Sequence, residues 1–569
     1  PVPLSIFLLS LGLLLTFLAL FPSCSTLPAS YIKGGINPSV WSGNPLVLTK
    51  YGYLMGFPDK EDTLAWKGIP YAPPPVGERR WRAPAEPEPW NGIKRAKRFG
   101  NPAPQSLPLL GGVSGSEDCL YLNIWRPSDP ETNLPVYVWI HGGGNTLGSA
   151  NMVPDYYGHA QAARARVVFV SINYRLGPFG WMLNPDLGEG QSPEDASGNY
   201  GTLDILESLK WIKNNITAFG GDPERVILAG ESAGAMNILS LLLSPLSKDL
   251  FHGAIIQSGV PRIVKAEEAV KRSNSLMIDL MLRERGIDTA EEAKAILEAK
   301  SPEERAAWLR SKGQREIMSL LKGNAMGMSD WPSIIADGYV LPKEGYELFE
   351  SGNYPVKVPI IIGSNKEEIK IFLFFDKSLD YKGEIYRLTA EYGSRSWKAE
   401  GVDSPAEKLS SHPDQPPVYV YRFDWGAVNS DGESPLPKDW GIRLGAFHSL
   451  EIPFFLGTDT INGLFLTGRL FTRKNREGRE NLSLLIGKYL KSFAYTGNPN
   501  PEDDPSLPKW VPRKSGEAAG LIFDGSETTL VIKPLSHIET PEDLKKEIFK
   551  TLEEPLLSQV LERLLWSLE

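Results

Sequence analysis

The sequence predicts a doubly wound α/β fold, a mostly parallel sheet with helices on both faces and helical cap insertions. Three observations predict it. From about residue 47 onward, short β-branched or aromatic runs alternate with helical patterns. Several of these runs are apolar without alternation, as strands covered on both faces must be. One run, Arg225 to Ala229, leads into the turn Gly230-Glu231-Ser232-Ala233-Gly234 and then into an apolar helical stretch. Strand, Gly-x-Ser-x-Gly turn and helix together lift a serine hydroxyl above a sheet edge.

The elements follow in chain order. The first 32 residues carry no charge, and residues 4–21 form an apolar run broken only by Ser, Gly and Thr. Such a segment reads as a secretory signal or a membrane anchor. Residues 1–24 are therefore expected to be a signal peptide or N-terminal anchor, residues 25–46 an extension, and residues 47–569 one domain. Cys24 closes Phe21-Pro22-Ser23-Cys24, which resembles a bacterial lipoprotein cleavage site. Either the apolar segment or a lipidated Cys24 would bring membrane association. Export is the expectation, with the chain secreted, periplasmic or anchored.

No Gly/Ser linker, low-complexity tract or internal repeat divides the remainder. Strands are expected at 135–140, 167–172, 226–229, 254–257, 358–362 and 418–423, with helices at 206–212 and 235–243. At about 265–325 the chain turns rich in Glu, Lys, Arg, Ala and Leu, with helix starts at Thr289-x-x-Glu292 and Ser301-Pro302-x-Glu304. A helical block inserted between sheet strands is expected to cap the active face. Thr540-Pro541-Glu542 and Pro555 open two more helices within about 540–569.

Composition bounds the partners. Sixty basic against 69 acidic residues give a formal charge of −9, and no basic stripe stands out, which argues against nucleic acid. The cysteines are Cys24 and Cys119; with the leader removed or held in a membrane no structural disulfide forms, and Cys119 reads as a packed apolar residue. Asn215-Ile216-Thr217 and Asn481-Leu482-Ser483 are glycosylation sequons, relevant only in a eukaryotic secretory route. No Cys/His cluster or His-Glu-x-x-His pattern occurs, so neither metal nor organic cofactor is expected.

A serine nucleophile needs a base, an orienting acid and donors for the developing oxyanion. His141-Gly142-Gly143-Gly144 follows the expected strand at 135–140. Glycines there let backbone N–H groups converge without side-chain interference. Gly143 and Gly144 with Ala233 would make a three-donor hole, and losing one such donor costs about 2.7–4 kcal/mol of transition-state stabilisation.

Beyond the serine turn, several segments carry a family resemblance. They are Trp66-Lys67-Gly68-Ile69-Pro70-Tyr71-Ala72, Ser116-Glu117-Asp118-Cys119-Leu120-Tyr121-Leu122-Asn123, Asn173-Tyr174-Arg175-Leu176-Gly177, Phe219-Gly220-Gly221-Asp222-Pro223 and Phe493-Ala494-Tyr495-Thr496-Gly497-Asn498-Pro499. Over about residues 47–510 the chain resembles the type-B carboxylesterase/cholinesterase family of α/β-hydrolases, in its bacterial carboxylesterase branch. The resemblance implies a serine carboxylesterase acting on short to medium acyl esters through an acyl-enzyme. It implies Glu368 as triad acid, from Gly363-Ser364-Asn365-Lys366-Glu367-Glu368-Ile369, and His448 as base, from Gly445-Ala446-Phe447-His448. Ser232, Glu368 and His448 stand in the chain order of that fold. Asp337 is the other carboxylate weighed, with turn formation as its expected role.

Departures from the family restrict the substrate. Glu367 stands where the family has Asp, and Ile369 where it has Gly. No tryptophan lies between Ala103 and Cys119, so choline esters lose their cation–π contact. Asn145 follows the glycine run where an apolar residue is frequent, which suggests a more polar pocket wall. Residues 369–375 suit an acyl pocket and core packing alike. A catalytically silent adhesion or binding protein on the same fold is the alternative; such members lose part of the triad, and this chain keeps all of it.

Overall fold

An eleven-stranded sheet carries the fold in the computed structural model, which describes residues 38–106, 112–284, 286–324, 328–461 and 464–564. The N-terminal apolar run and Cys24 lie outside the described residues. Numbered in chain order, the strands are β1 (Phe57–Asp59), β2 (Thr63–Pro70), β3 (Tyr121–Pro127), β4 (Leu134–Ile140), β5 (Val168–Ile172), β6 (Gly221–Glu231), β7 (Gly253–Gln257), β8 (Ile360–Asn365), β9 (Val418–Phe423), β10 (Leu521–Gly525) and β11 (Leu530–Pro534). Their order across the sheet is β11-β10-β9-β8-β7-β6-β4-β5-β3-β2-β1. Neighbours from β5 through β4 to β10 are parallel. The flanking pairs are antiparallel.

The apolar runs sort by the strand period of two. Val136, Val138 and Ile140 of β4, with Val168 and Val170 of β5 and Leu228 of β6, enter one core. Tyr137, Trp139, Phe169, Ile227 and Ala229, the alternate residues, enter the other. Helices α1 (Tyr200–Asn215) and α2 (Ala233–Leu243) cover the first face through Leu206, Leu209, Ile238 and Leu242. The second face is covered further along the chain.

Helices α3 (Ala266–Met281), α4 (Ala290–Glu298) and α5 (Pro302–Arg310) occupy the charged segment and build a separate apolar cluster with Trp81, Phe179 and Trp331. Both helix-start signatures form capping boxes: the Thr289 and Ser301 hydroxyls accept from the Glu292 and Glu304 N–H groups, each at 3.2 Å. Helix α6 (Glu384–Lys398) follows β8, and α7 (Arg476–Thr496) covers the second sheet face with Leu482, Ile486, Tyr489 and Phe493. Helices α8 (Pro541–Thr551) and α9 (Leu556–Leu564) pack Ile548, Val560 and Leu564 against α6 and Ile369. Among the described residues, no helix is long and apolar enough to cross a membrane.

Element boundaries moved for local reasons. β6 starts at Gly221, earlier than expected, because Gly221 pairs with Leu134 ahead of an irregularity between Gly221 and Val226. β8 starts only at Ile360, since Pro359 has no N–H to give a ladder. The helix expected at 206–212 extends to α1's sixteen residues. The Asn215 sequon is corrected: that side chain is fully buried, accepting from Lys50 N at 2.7 Å and donating to Trp211 O at 2.8 Å. No glycan fits there in the folded chain.

Candidate active site

Strand register sets the site. β4 and β6 are parallel neighbours with Ile140 opposite Gly230, so Gly142 and Ser232 leave the sheet side by side. The chain turns to opposite sides of β4 for β5 and β6, which makes their carboxyl ends the crevice of an open α/β sheet. Glu231 lies level with Gln257, and Gln257 with Gly363, so the end of β8 joins the same edge.

Ser232 holds φ 56° and ψ −121°, a conformation costing about 1–3 kcal/mol for a residue with a side chain. Two backbone bonds pin it: its N–H donates to Gln257 O, and its carbonyl accepts from Met236 N, each at 2.9 Å. The flanking glycines are steric requirements. A Cβ on Gly234 would lie 2.0 Å from Ile140 O, and one on Gly230 2.7 Å from the Gly234 carbonyl carbon. Opposite the serine, Gly143 and Gly144 take φ 109° and 62°. Among the described residues, the N–H groups of Gly143, Gly144 and Ala233 donate to no protein acceptor. Amides left without an acceptor in this way are available to an anion.

Glu368 and His448, from the ends of two different segments, meet: His448 Nδ1 lies 2.6 Å from Glu368 Oε2. The other Glu368 oxygen accepts from Asn365 N at 2.6 Å, and the Glu368 carbonyl accepts from His448 N at 3.2 Å. Glu367 points away from the imidazole and clamps the histidine loop, accepting from Ala446 N at 3.0 Å and pairing with Lys370. Asp337 accepts from the N–H groups of Tyr339, Val340 and Leu341, which makes it a turn former. His141 is stacked on Tyr174 with ring centroids 4.5 Å apart, and burial pushes its pKa down to about 4, so it is neutral.

Two carboxylates at the imidazole went unread in the sequence. His448 Nε2 lies 3.1 Å from Glu231 Oε1, which also accepts from Ser449 Oγ at 2.7 Å. Among the described residues, no hydrogen bond joins Ser232 Oγ to His448. Glu451 is fully buried nearby, accepting from Asn365 Nδ2 at 2.5 Å. Burial favours neutral His448, but Glu231 and Glu368 outweigh it and push the imidazole up to about 9. Burial, with Glu231 and Glu368 adding to it, pushes Glu451 up to about 8. The only sequence signal was position: Glu231 is a charge between an apolar strand and the serine.

The open alternatives at 369–375 divide. Ile369 and Ile371 are core residues, whereas Phe372 and Trp397 flank the imidazole with centroids 5.4 and 4.9 Å from it. The polar pocket wall at Asn145 is corrected. With φ 56°, Asn145 turns its side chain into the interior, fully buried, toward Asn237 and Ser333.

Comparison with known proteins places this geometry. Residues 43–399 match the model of the carboxylesterase family. The chain is 34% identical over 520 residues to para-nitrobenzyl esterase of Bacillus subtilis, covering 86% of this chain and 97% of that one. It is 31% identical over 510 residues to mouse (Mus musculus) carboxylesterase 1C, covering 82% and 86% of the two chains. A solved Geobacillus stearothermophilus carboxylesterase superposes with a TM-score of 0.66 at 30% identity, over 86% of this chain and 98% of its own. A strained serine turn facing idle amides, on the fold of these enzymes, leads to one assignment: the chain belongs to the carboxylesterase family and is a carboxylic-ester hydrolase with the α/β-hydrolase fold.

Proposed function

We propose that the protein hydrolyses carboxylic esters of short to medium acyl chains through a Ser232–His448–Glu368 triad and an acyl-enzyme. The observation that carries this reading is the 2.6 Å contact between His448 Nδ1 and Glu368, beside a serine held at positive φ. In the proposed cycle, Glu368 keeps the Nδ1 proton in place, so Nε2 is the basic nitrogen. Neutral His448 swings Nε2 from Glu231 to Ser232 and takes the hydroxyl proton as Oγ attacks the ester carbonyl. The new oxyanion is held by Gly143, Gly144 and Ala233. The imidazolium returns its proton to the leaving alcohol, and water activated by the same nitrogen releases the acid. Phe372 and Trp397, beside the imidazole, support a bounded acyl wall.

The test is hydrolysis of p-nitrophenyl esters from acetyl to dodecanoyl, with fluorophosphonate labelling and a Ser232→Ala control. Turnover and labelling should both vanish in the control, with turnover falling roughly a millionfold. Near wild-type turnover by Ser232→Ala would remove Ser232 from the mechanism.

A further inference from the structure

The glycine turn carrying the oxyanion amides is short of backbone ties. Within the turn, the Thr146 and Leu147 N–H groups return to Gly143 O at 3.2 and 2.9 Å. Gly143 and Gly144 have no side chains to anchor them, yet their N–H groups must sit within a few tenths of an ångström of one position. Asn145 follows immediately and is fully buried. Its carbonyl accepts from Gly177 N at 2.7 Å. Its side-chain Oδ1 accepts from Asn237 Nδ2 at 2.9 Å, and its Nδ2 donates to Ser333 Oγ at 3.2 Å. The Tyr174 hydroxyl lies 3.3 Å from the same Oδ1, but its one proton is committed to His141 O at 2.7 Å.

Asn237 is the other half. It stands on α2, five residues beyond Ser232, and is also fully buried. The Asn145–Asn237 bond therefore joins the two walls of the reaction site directly: the turn that offers two oxyanion donors, and the helix whose first residue offers the third. The segment that follows the helical block adds an outer tie through Ser333, and Ser329 N donates to Thr146 Oγ1 at 3.2 Å. Two buried amides serve poorly as packing alone, since an apolar pair of the same volume avoids the desolvation cost. Among the described residues, the Asn237 side-chain oxygen Oδ1 has no hydrogen-bond partner. A polar pair held despite that cost, bridging donor turn and nucleophile helix, points to registration of the two.

We propose that Asn145 and Asn237 form a positioning pair that sets the distance between the Gly143–Gly144 amides and the Ser232–Ala233 turn. The pair touches no reacting atom. It acts through the backbone, so its effect falls on the oxyanion state and leaves ground-state ester binding alone. The inference rests on the hydrolase reading above, and its test separates the two.

The full chain is compared as wild type, Asn237→Ala, Asn145→Gly and the double variant; glycine accepts the positive φ at 145 without strain. Two quantities are measured: kcat and KM on a p-nitrophenyl ester, and affinity for an aryl trifluoromethyl ketone. The ketone adds Ser232 Oγ to its carbonyl carbon, passes the serine proton to His448 and leaves its oxygen as the anion in the hole. Each single variant should lose roughly 10- to 100-fold in kcat and in ketone affinity, with KM changed by less than about three-fold. The double variant should be about as impaired as the worse single, because either change cuts the same tie. Ser333→Ala, at a partly exposed position beyond the helical block that carries little folding risk, should show a smaller loss in the same two quantities.

Ketone affinity that stays at the wild-type level while the melting temperature falls would make the pair purely structural and overturn the proposal. So would losses that multiply in the double variant. A wild type that neither turns over ester nor binds the ketone would overturn the hydrolase reading and this inference together. An active wild type with indifferent variants would overturn this inference alone.

Discussion

His448 stands between two carboxylates with different consequences. Glu368 lies 2.6 Å from Nδ1, where in the proposed triad it fixes the tautomer and supports the imidazolium. Glu231 sits on Nε2, the nitrogen assigned to Ser232 in the proposed cycle, and so stabilises the charged form that cannot act as a base. The sign follows directly. The imidazole pKa is held up to about 9, so kcat/KM should rise with pH through that raised value, because only the neutral form accepts a proton. Glu231→Gln removes one of the two charges responsible. The acidic limb of its pH–rate profile should move to lower pH, toward the ordinary histidine range. Profiles of kcat/KM for wild type and variant check this, and coincident limbs would mean that Glu231 does not govern the base. Conservative size makes glutamine the right probe: it keeps an acceptor for Ser449 Oγ.

At the scale of elements, the family segments are joints between strands and helices. Arg175, in the loop after β5, forms a bidentate pair with Asp204 of α1 through Nε at 2.8 Å and a terminal nitrogen at 2.7 Å, both side chains almost wholly buried. Its backbone N–H reaches the same carboxylate at 3.0 Å. Arg80 grips Glu117 in a similar way, lining one small cavity with Arg175. Such pairs add little net stability when complete, but breaking one leaves an unpaired charge in the interior. Asp204→Ala should therefore cost about 3–5 kcal/mol, read as a lower denaturant midpoint. An unchanged midpoint would show that water reaches Arg175. Asp204→Asn, which keeps acceptors but loses the charge, should fall between the two. The C-terminal helices add apolar contact, with Ile548 and Leu564 in one cluster with Ile369, the residue after Glu368, and an ion pair from Arg395 of α6 to Glu547 of α8 at 2.6 Å.

Over the whole molecule, the sequence made legible whatever backbone sterics dictate locally. Unbroken apolar runs mark strands with both faces covered, and β4 is buried along its full length. Glycines at 230, 234 and 143 mark places where a Cβ would strike backbone, so the serine turn and the donor turn could be read directly. Glu368 and His448 were reached through the family resemblance, and the structure brings them together. Glu231, Glu451 and Asn237 stayed hidden and Asn145 was read as pocket wall, because a lone carboxylate or amide reads as solvated until packing from distant segments buries it. That burial has a global cost. Glu451, fully buried among Glu231, Glu368 and His448, holds its proton up to about 8, against 4.5 for an unperturbed glutamate. Between those two values the folded chain binds a proton that the unfolded chain releases, so stability should fall as pH rises across that window. Raised His448 acts in the same direction, its contribution being full below the ordinary histidine value and lost as pH rises through about 9. Glu451→Gln isolates the first effect: it keeps an acceptor for Asn365 Nδ2 and cannot ionise. Melting temperatures of wild type and variant should lie close together near pH 5 and diverge as pH approaches 9, the variant becoming the more stable. Parallel curves over that range would mean that Glu451 is already ionised in the folded protein, with a compensating donor at its second oxygen.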